Sequence, residues 1–247
     1  MVGGANKICR IAMWSGPRNV STALMRSFEN RTDCVVVDEP FYAHYLDSSA
    51  IDHPGRDAVL ASQPHDANDV VAGLMAPLAR GVRVQYQKQM SHHITPGVSL
   101  EWTRDVQNCF LLREPRAMIA SYVKKRAVPI LDDLGYRQLT EIYDFVARDQ
   151  KSAPIVIDSD DLLRDPPTIL RTLCARLKIP FEQAMLAWQP GPRASDGAWA
   201  PWWYSNVEKS TAFEMRPPFE GSLPDHLEAL AGQAMPYYNQ LARYKIV

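Results

Sequence analysis

Residues 8–30 read ICRIAMWSGPRNVSTALMRSFEN. The stretch opens with an apolar run of strand character, ICRIAMW, and closes with a helical pattern, STALMRSFEN. Between them lies a short turn holding Ser15, Gly16, Pro17, Arg18 and Asn19. A strand that passes through a tight turn into a helix points the helix N-terminus at whatever lies beyond the strand. Such an end presents unpaired backbone N–H groups and the positive end of the helix dipole. It is therefore suited to phosphate or sulfate. Ser21 and Thr22 add hydroxyl donors in the first turn, and Arg18 adds a planar fork of N–H donors. Read structurally instead, Ser21 is a helix cap and Arg18 a solvated turn residue. The turn is not a Walker A loop, because GxxxxGK[ST] is absent and no lysine occupies it. That counts against ordinary ATP or GTP hydrolysis.

Other apolar runs share the character of the first. Strands are expected at 8–14, 34–39, 82–88, 109–113 and 154–159, separated by helices at 21–30, 68–80, 115–127, 137–151 and 166–178, with a final helix near 224–243. Runs such as VVV and FLL suit strands buried on both faces. The alternation argues an α/β fold of three layers, α/β/α, around a mainly parallel five-stranded sheet, similar to P-loop NTPases. Ligands bind such sheets beyond the carboxyl ends of the strands. Glu39, Lys88 and Arg113 follow or end the second, third and fourth strands, beside the SGPRN turn of the first. The segment 188–221 is rich in Pro, Gly and Trp without a clean period, and is expected to fold over the crevice as a lid. Residues 1–247 are expected to form one domain.

Charge and cysteine usage narrow the function class. A formal net charge of −1 suggests no bulk nucleic-acid binder, so any anion site must be built locally. The four cysteines, Cys9, Cys34, Cys109 and Cys174, form no CxxC pair and no zinc spacing. They read as buried free thiols in a reducing compartment. The N-terminus MVGGANKICRIAMW lacks the apolar region of a signal peptide, and no apolar stretch approaches the ~20 residues of a membrane span. A cytoplasmic protein with no membrane association is expected.

A second signal lies in FLLREPRAMIASYVKK, residues 110–125. Arg113 ends a strand and Pro115 suits the first turn of the next helix. Ser121 sits six residues beyond Pro115, about 9 Å along a helix. Together Arg113 and Ser121 can grip a second anion. With PRNVST in the first loop and DSDDLLRDPPTILRTLCARLKIPFEQAMLAW at 158–188, the chain resembles the sulfotransferases that use 3′-phosphoadenosine 5′-phosphosulfate. The likeness covers residues 13–188 and is nearest to the tyrosylprotein and carbohydrate branches. Two departures stand out: Val20 replaces the usual loop glycine and Asn19 a serine. The C-terminal RKG element of cytosolic members is missing; Arg193 or Lys209 is the candidate replacement. A β-branched residue such as Val20 must avoid positive φ or be strained.

The resemblance implies that Ser15, Gly16, Pro17, Arg18, Asn19, Val20, Ser21 and Thr22 bind the 5′-phosphosulfate, and that Arg113 and Ser121 bind the 3′-phosphate. Arg18 is the first candidate to stabilise the leaving oxygen and Lys88 the second. A general base must take the acceptor proton. Glu39 is the first choice; His92 and His93, which follow Lys88 in KQMSHHI, are rivals. Asp38 precedes Glu39 and in a strand points to the other face, so no carboxylate dyad is expected. Trp199, Trp202, Trp203 and Tyr204 can stack on adenine, wall the acceptor site or form the underside of the lid. The expected activity is sulfuryl transfer to a hydroxyl or amine of a small acceptor, without a metal. The alternatives are a P-loop nucleotide kinase or NTPase, and an inactive nucleotide-binding protein.

Overall fold

A computed structural model of the chain describes residues 8–49, 51, 53–126, 128–149 and 153–246. The stretch MVGGANK at 1–7, and the ends of the helices expected at 115–127 and 137–151, lie outside the described residues. Five strands, β1 (Cys9–Ser15), β2 (Cys34–Asp38), β3 (Val84–Met90), β4 (Gln107–Leu112) and β5 (Ile155–Asp158), form one sheet in the order β2-β3-β1-β4-β5. Every pairing is parallel.

The period of two along each strand sends alternate side chains to opposite faces. Ile11 and Met13 join Tyr86, Leu111 and Ile157 on one face, packed by α1 (Ser21–Glu29) and α9 (Pro166–Leu177). Ala12 and Trp14 join Phe110, Leu112 and Val156 on the other, packed by α4 (Ala67–Met75), α7 (Tyr136–Asp149) and α11 (Asp225–Ala242). Both faces of the sheet are thus covered, as its all-parallel strands require. Between β2 and α4 lie α2 (Tyr42–Ser49) and α3 (Arg56–Ser62), two helices the sequence reading lacks. Helix α5 (Pro115–Tyr122) and three short helices also absent from the sequence reading, α6 (Leu131–Leu134), α8 (Ser159–Arg164) and α10 (Ala200–Trp203), are the remaining α-helices among the described residues.

Several boundaries differ from expectation. Helix α4 stops at Met75 because Ala76 precedes Pro77 and adopts ψ 153, the extended form that a following proline favours. Helix α5 ends at Tyr122, several residues before the expected limit. Strand β3 continues past Lys88 to Met90, and β4 starts at Gln107. Strand β1 is central, with β3 and β4 on its two sides, so its C-terminal turn sits where the chain order reverses. That is the switch point at which open parallel sheets bind ligands.

Candidate active site

The β1–α1 turn is held from below. Gly16 is packed so closely that a Cβ there would lie 2.5 Å from the Leu134 carbonyl oxygen. Ser15 is fully buried with its Oγ 3.8 Å from Met90 Sδ, and Asn19 Nδ2 donates to the Leu111 carbonyl at 3.0 Å. Ser15 and Gly16 therefore form the base of the turn, beneath the residues that line the cleft. Pro17, Arg18, Asn19, Val20, Ser21 and Thr22 do line it. The backbone is left-handed at Arg18 (φ 59) and Val20 (φ 55). Val20 thus carries the strain expected of a β-branched residue at that φ. It precedes α1 without a side-chain cap, so the helix begins with its own N–H groups uncovered.

The β4–α5 junction lies against this turn. Arg113 Nη1 donates to the Arg18 carbonyl at 2.6 Å, and Arg18 Nε donates to Ser121 Oγ at 3.2 Å. The Tyr136 hydroxyl donates to the Arg113 carbonyl at 2.6 Å and fixes the strand end. Burial lowers the pKa of Arg18, and the charge of Arg216 lowers it further against the opposing pull of Tyr122. Burial and Arg216 act on Arg113 in the same way, with Asp160 opposing. Arg18, Arg113 and Arg216 line one cleft of about 1020 Å³. The charge of Arg216 thus disfavours the charged forms of both Arg18 and Arg113, an arrangement that an anion in the cleft would relieve.

Lys209 also lines the cleft, whereas Arg193 does not. Arg193 Nη2 donates to the Gln189 carbonyl at 2.8 Å, and its Nε lies 4.0 Å from Glu29. The Arg193 guanidinium is tied instead to the Gln189 carbonyl, apart from the residues that line the cleft. Arg216 is the residue that sequence reasoning missed. It lies in 211–224, a stretch without period or motif, so only the folded path of the chain shows where it ends up.

Across the cleft stand the residues after β2 and β3. Lys88 is in register with Asp38, which puts both side chains on the same face of the sheet. The strand ends there, and Glu39 adopts φ 39. This left-handed turn breaks the alternation and brings Glu39 round to the same lysine. Lys88 Nζ donates to Asp38 Oδ1 at 2.9 Å, to Glu39 Oε1 and to the Tyr204 hydroxyl at 3.0 Å. The expectation that Asp38 faces away from Glu39 is thereby corrected: both carboxylates converge on one ammonium group. Burial raises the Glu39 pKa to about 7, with Lys88 pulling it down and Asp38 pushing it up. Burial would lower the Lys88 pKa, but the charges of Asp38 and Glu39 outweigh it and hold it well above its ordinary value.

His93 Nε2 lies 4.0 Å from Glu39 Oε2, and the His93 ring stacks on Tyr42 and Tyr45. His92 lines the cleft beside it. Burial takes the His92 pKa down to about 3, with His53, Arg126 and Lys88 contributing, and puts that of His93 well below its usual value. Both imidazoles are therefore neutral near pH 7. The aromatic segment divides. Trp199 is buried and donates from Nε1 to the Tyr204 hydroxyl at 3.1 Å, while Trp203 lines the cleft and stacks on His53. Trp202 is partly exposed and covers Gly55. Among the described residues no group of three or more His, Cys, Asp or Glu is arranged to hold a metal ion, and no helix is long and apolar enough to cross a membrane.

The sequence profile described as "Sulfotransferase domain" matches residues 9–244. The chain belongs to the sulfotransferase domain family. Two curated relatives from Arabidopsis thaliana, branched-chain-amino-acid aminotransferase-like proteins 1 and 2, are 37% and 36% identical over 231 residues, 94% of this chain. The chain spans 41% of the length of either relative. Among solved structures, the sulfotransferase domain from the curacin biosynthetic pathway superposes with a TM-score of 0.56 at 15% identity, over 92% of this chain and 98% of that one. The sulfotransferase domain of the Synechococcus PCC 7002 olefin synthase gives 0.54 at 17%, over 92% and 94%. A sulfotransferase from Alicyclobacillus acidocaldarius gives 0.58 at 12%, over 95% and 94%. These three likenesses show the fold. The family match shows that this sulfotransferase domain is of the transferase class, built on a five-stranded parallel sheet with helices on both faces.

Proposed function

We propose that the chain moves a sulfuryl group from 3′-phosphoadenosine 5′-phosphosulfate to a hydroxyl or amine of a small acceptor. One observation carries the reading: an uncapped helix start and three arginines share a cleft with a buried carboxylate. The residues present fit a donor with two anionic ends. The first turn of α1, with Ser21, Thr22 and Arg18, suits the 5′-phosphosulfate; Arg113 and Ser121 suit the 3′-phosphate. Lys209 and Arg216 are placed to add charge from the segment that crosses the cleft.

The donor supplies an activated S–O bond. The acceptor oxygen or nitrogen forms a bond to sulfur as the bond from sulfur to the phosphate oxygen breaks, and the electron pair stays with the phosphate. Arg18 and the α1 N–H groups neutralise the charge that builds on that oxygen. Glu39 takes the acceptor proton; with its pKa raised to about 7 by burial, roughly half of it is ionised at neutral pH and that form is basic enough to do so. His92 and His93, neutral and packed, wall the acceptor side. With Tyr42, His53, Met90 and Trp203 they give it an apolar, aromatic lining. Such a lining favours a small acceptor with a flat apolar body over an acidic polymer.

Thermal shift tests the donor half. Adenosine 3′,5′-bisphosphate is expected to raise the melting temperature in proportion to ligand excess, without a divalent cation. A shift seen only with ADP and Mg²⁺ would overturn the reading in favour of a nucleotide kinase or NTPase. Mass gain in hydroxylated metabolites supplied with the phosphosulfate donor tests the transfer itself. Binding without transfer to any of them would leave an inactive nucleotide-binding protein.

A further inference from the structure

The ammonium group of Lys88 carries three hydrogens, and three protein acceptors surround it: Asp38 Oδ1, Glu39 Oε1 and the Tyr204 hydroxyl. All three hydrogens are used, and the residue is buried. None remains for a sulfuryl oxygen in this arrangement. The geometry suits a strut better than a free cation.

The strut is braced from the segment that crosses the cleft. The Tyr204 hydroxyl donates to Asp38 Oδ2 at 2.6 Å, and the Gly197 N–H donates to the same oxygen at 3.1 Å. Trp199 Nε1 donates to the Tyr204 hydroxyl. Asp196, next to Gly197, pairs at 2.6 Å with Arg26 of α1, itself buried. Residues 196–204 are thus clipped both to the helix that starts the anion site and to the strand that ends at Asp38. With Oδ1 bound to Lys88, each Asp38 oxygen has a partner within the protein.

We infer that Asp38 and Tyr204 are positioning residues that act through Lys88, fixing one oxygen of Glu39 and rationing the positive charge that Glu39 receives. This rests on the reading of Glu39 as the base. A lysine paired with one carboxylate would make that carboxylate a weak base. A lysine shared between two carboxylates and a hydroxyl leaves Glu39 more basic while still holding it in place. The groups that face Glu39 are few. Lys88 comes from β3, Asp38 from β2, His93 from the turn after β3 and Tyr42 from α2. Tyr204 comes from the end of α10. The Gln63 amide donates to the Glu39 carbonyl at 3.1 Å. His93 is neutral, and burial keeps Tyr42 and Tyr204 protonated. Asp38 and Lys88 are therefore the charges that set the ionisation of Glu39.

The test needs no acceptor. Protein labelled with ¹³C at the glutamate side-chain carboxyl is titrated by NMR, and the Glu39 resonance is identified by its loss in Glu39→Gln. In Asp38→Asn the charge of Lys88 falls on Glu39 alone, so the midpoint is expected to drop by one pH unit or more, a tenfold change in the ionised ratio. Tyr204→Phe keeps the ring but removes the uncharged acceptor. The three lysine hydrogens then concentrate on the two carboxylates, and the midpoint is expected to fall in the same direction, about threefold in ratio. An unchanged midpoint in variants that still melt cooperatively would overturn the inference and reduce the cluster to a structural clip. If Asp38→Asn does not fold, Tyr204→Phe decides in the same way. Failure of wild-type protein to bind adenosine 3′,5′-bisphosphate would strike the proposed activity instead, and leaves the titration readable.

Discussion

At the β1–α1 junction the chain passes through left-handed backbone at Arg18 and Val20 and enters its helix with no side-chain cap. At the β4–α5 junction Pro115 occupies the first turn, and the Glu114 carboxylate accepts from the N–H groups of Arg116 (3.0 Å) and Ala117 (2.8 Å). One helix start is open and the other is sealed by its own carboxylate. An open start can bind an anion through the backbone, which no side-chain substitution removes. A sealed start has given those donors away, so an anion beside it must be held by side chains, the role proposed for Arg113 and Ser121. The open end is bought with strained backbone, and the sealed end uses ordinary capping chemistry.

Arg18 belongs to both junctions, since its guanidinium reaches Ser121 and its carbonyl holds Arg113. Arg18→Ala is therefore expected to give the largest loss, on the order of 10²–10³ in the rate of sulfuryl transfer, measured by single-turnover kinetics. Transfer at the wild-type rate would remove Arg18 from the mechanism. Arg113→Ala separates the junctions. It is expected to weaken binding of adenosine 3′,5′-bisphosphate on the order of 10–100-fold by calorimetry, while adenosine 5′-monophosphate binds almost as before. Equal losses for both nucleotides would show that the two junctions do not read separate phosphates.

The frame of the molecule was legible because buried parallel strands announce themselves as apolar runs: all five were expected near where they lie. The helices α2 and α3 were not, since YAHYLDSS and RDAVLAS are short and only weakly patterned. The cleft was legible wherever a residue ends a strand, as Arg113 does. It was illegible where one backbone angle decides the outcome. Strand alternation sends Asp38 and Glu39 to opposite faces, and only the positive φ of Glu39 reunites them on Lys88. Arg193 and Arg216 look alike in sequence; the hydrogen bond of Arg193 to the Gln189 carbonyl and the path of 211–224 distinguish them.

Two smaller effects sharpen the contrast between the junctions. Glu114→Ala unseals α5 and is expected to cost about 1 kcal/mol of stability in chemical denaturation, the usual worth of a helix cap. No loss would mean that the seal is idle. Val20→Gly should change stability by less than about 1 kcal/mol, because relief of the left-handed strain offsets the lost side chain and the added chain entropy. A loss beyond about 2 kcal/mol would show that the turn stores no strain.

The sheet order carries a consequence for how such a protein can diversify. The stretch that supplies Glu39, Lys88 and the histidines runs through β2 and β3 to one side of the central strand, and the stretch that supplies Arg113 and Ser121 lies on the other side, in β4 and α5. Neither interrupts the other in the chain. Under the proposed activity, changes within 34–93 therefore bear first on the acceptor side and changes in β4 and α5 on the nucleotide side, and 34–93 can vary only together with 196–204, to which Asp38 is tied through Gly197 and Tyr204.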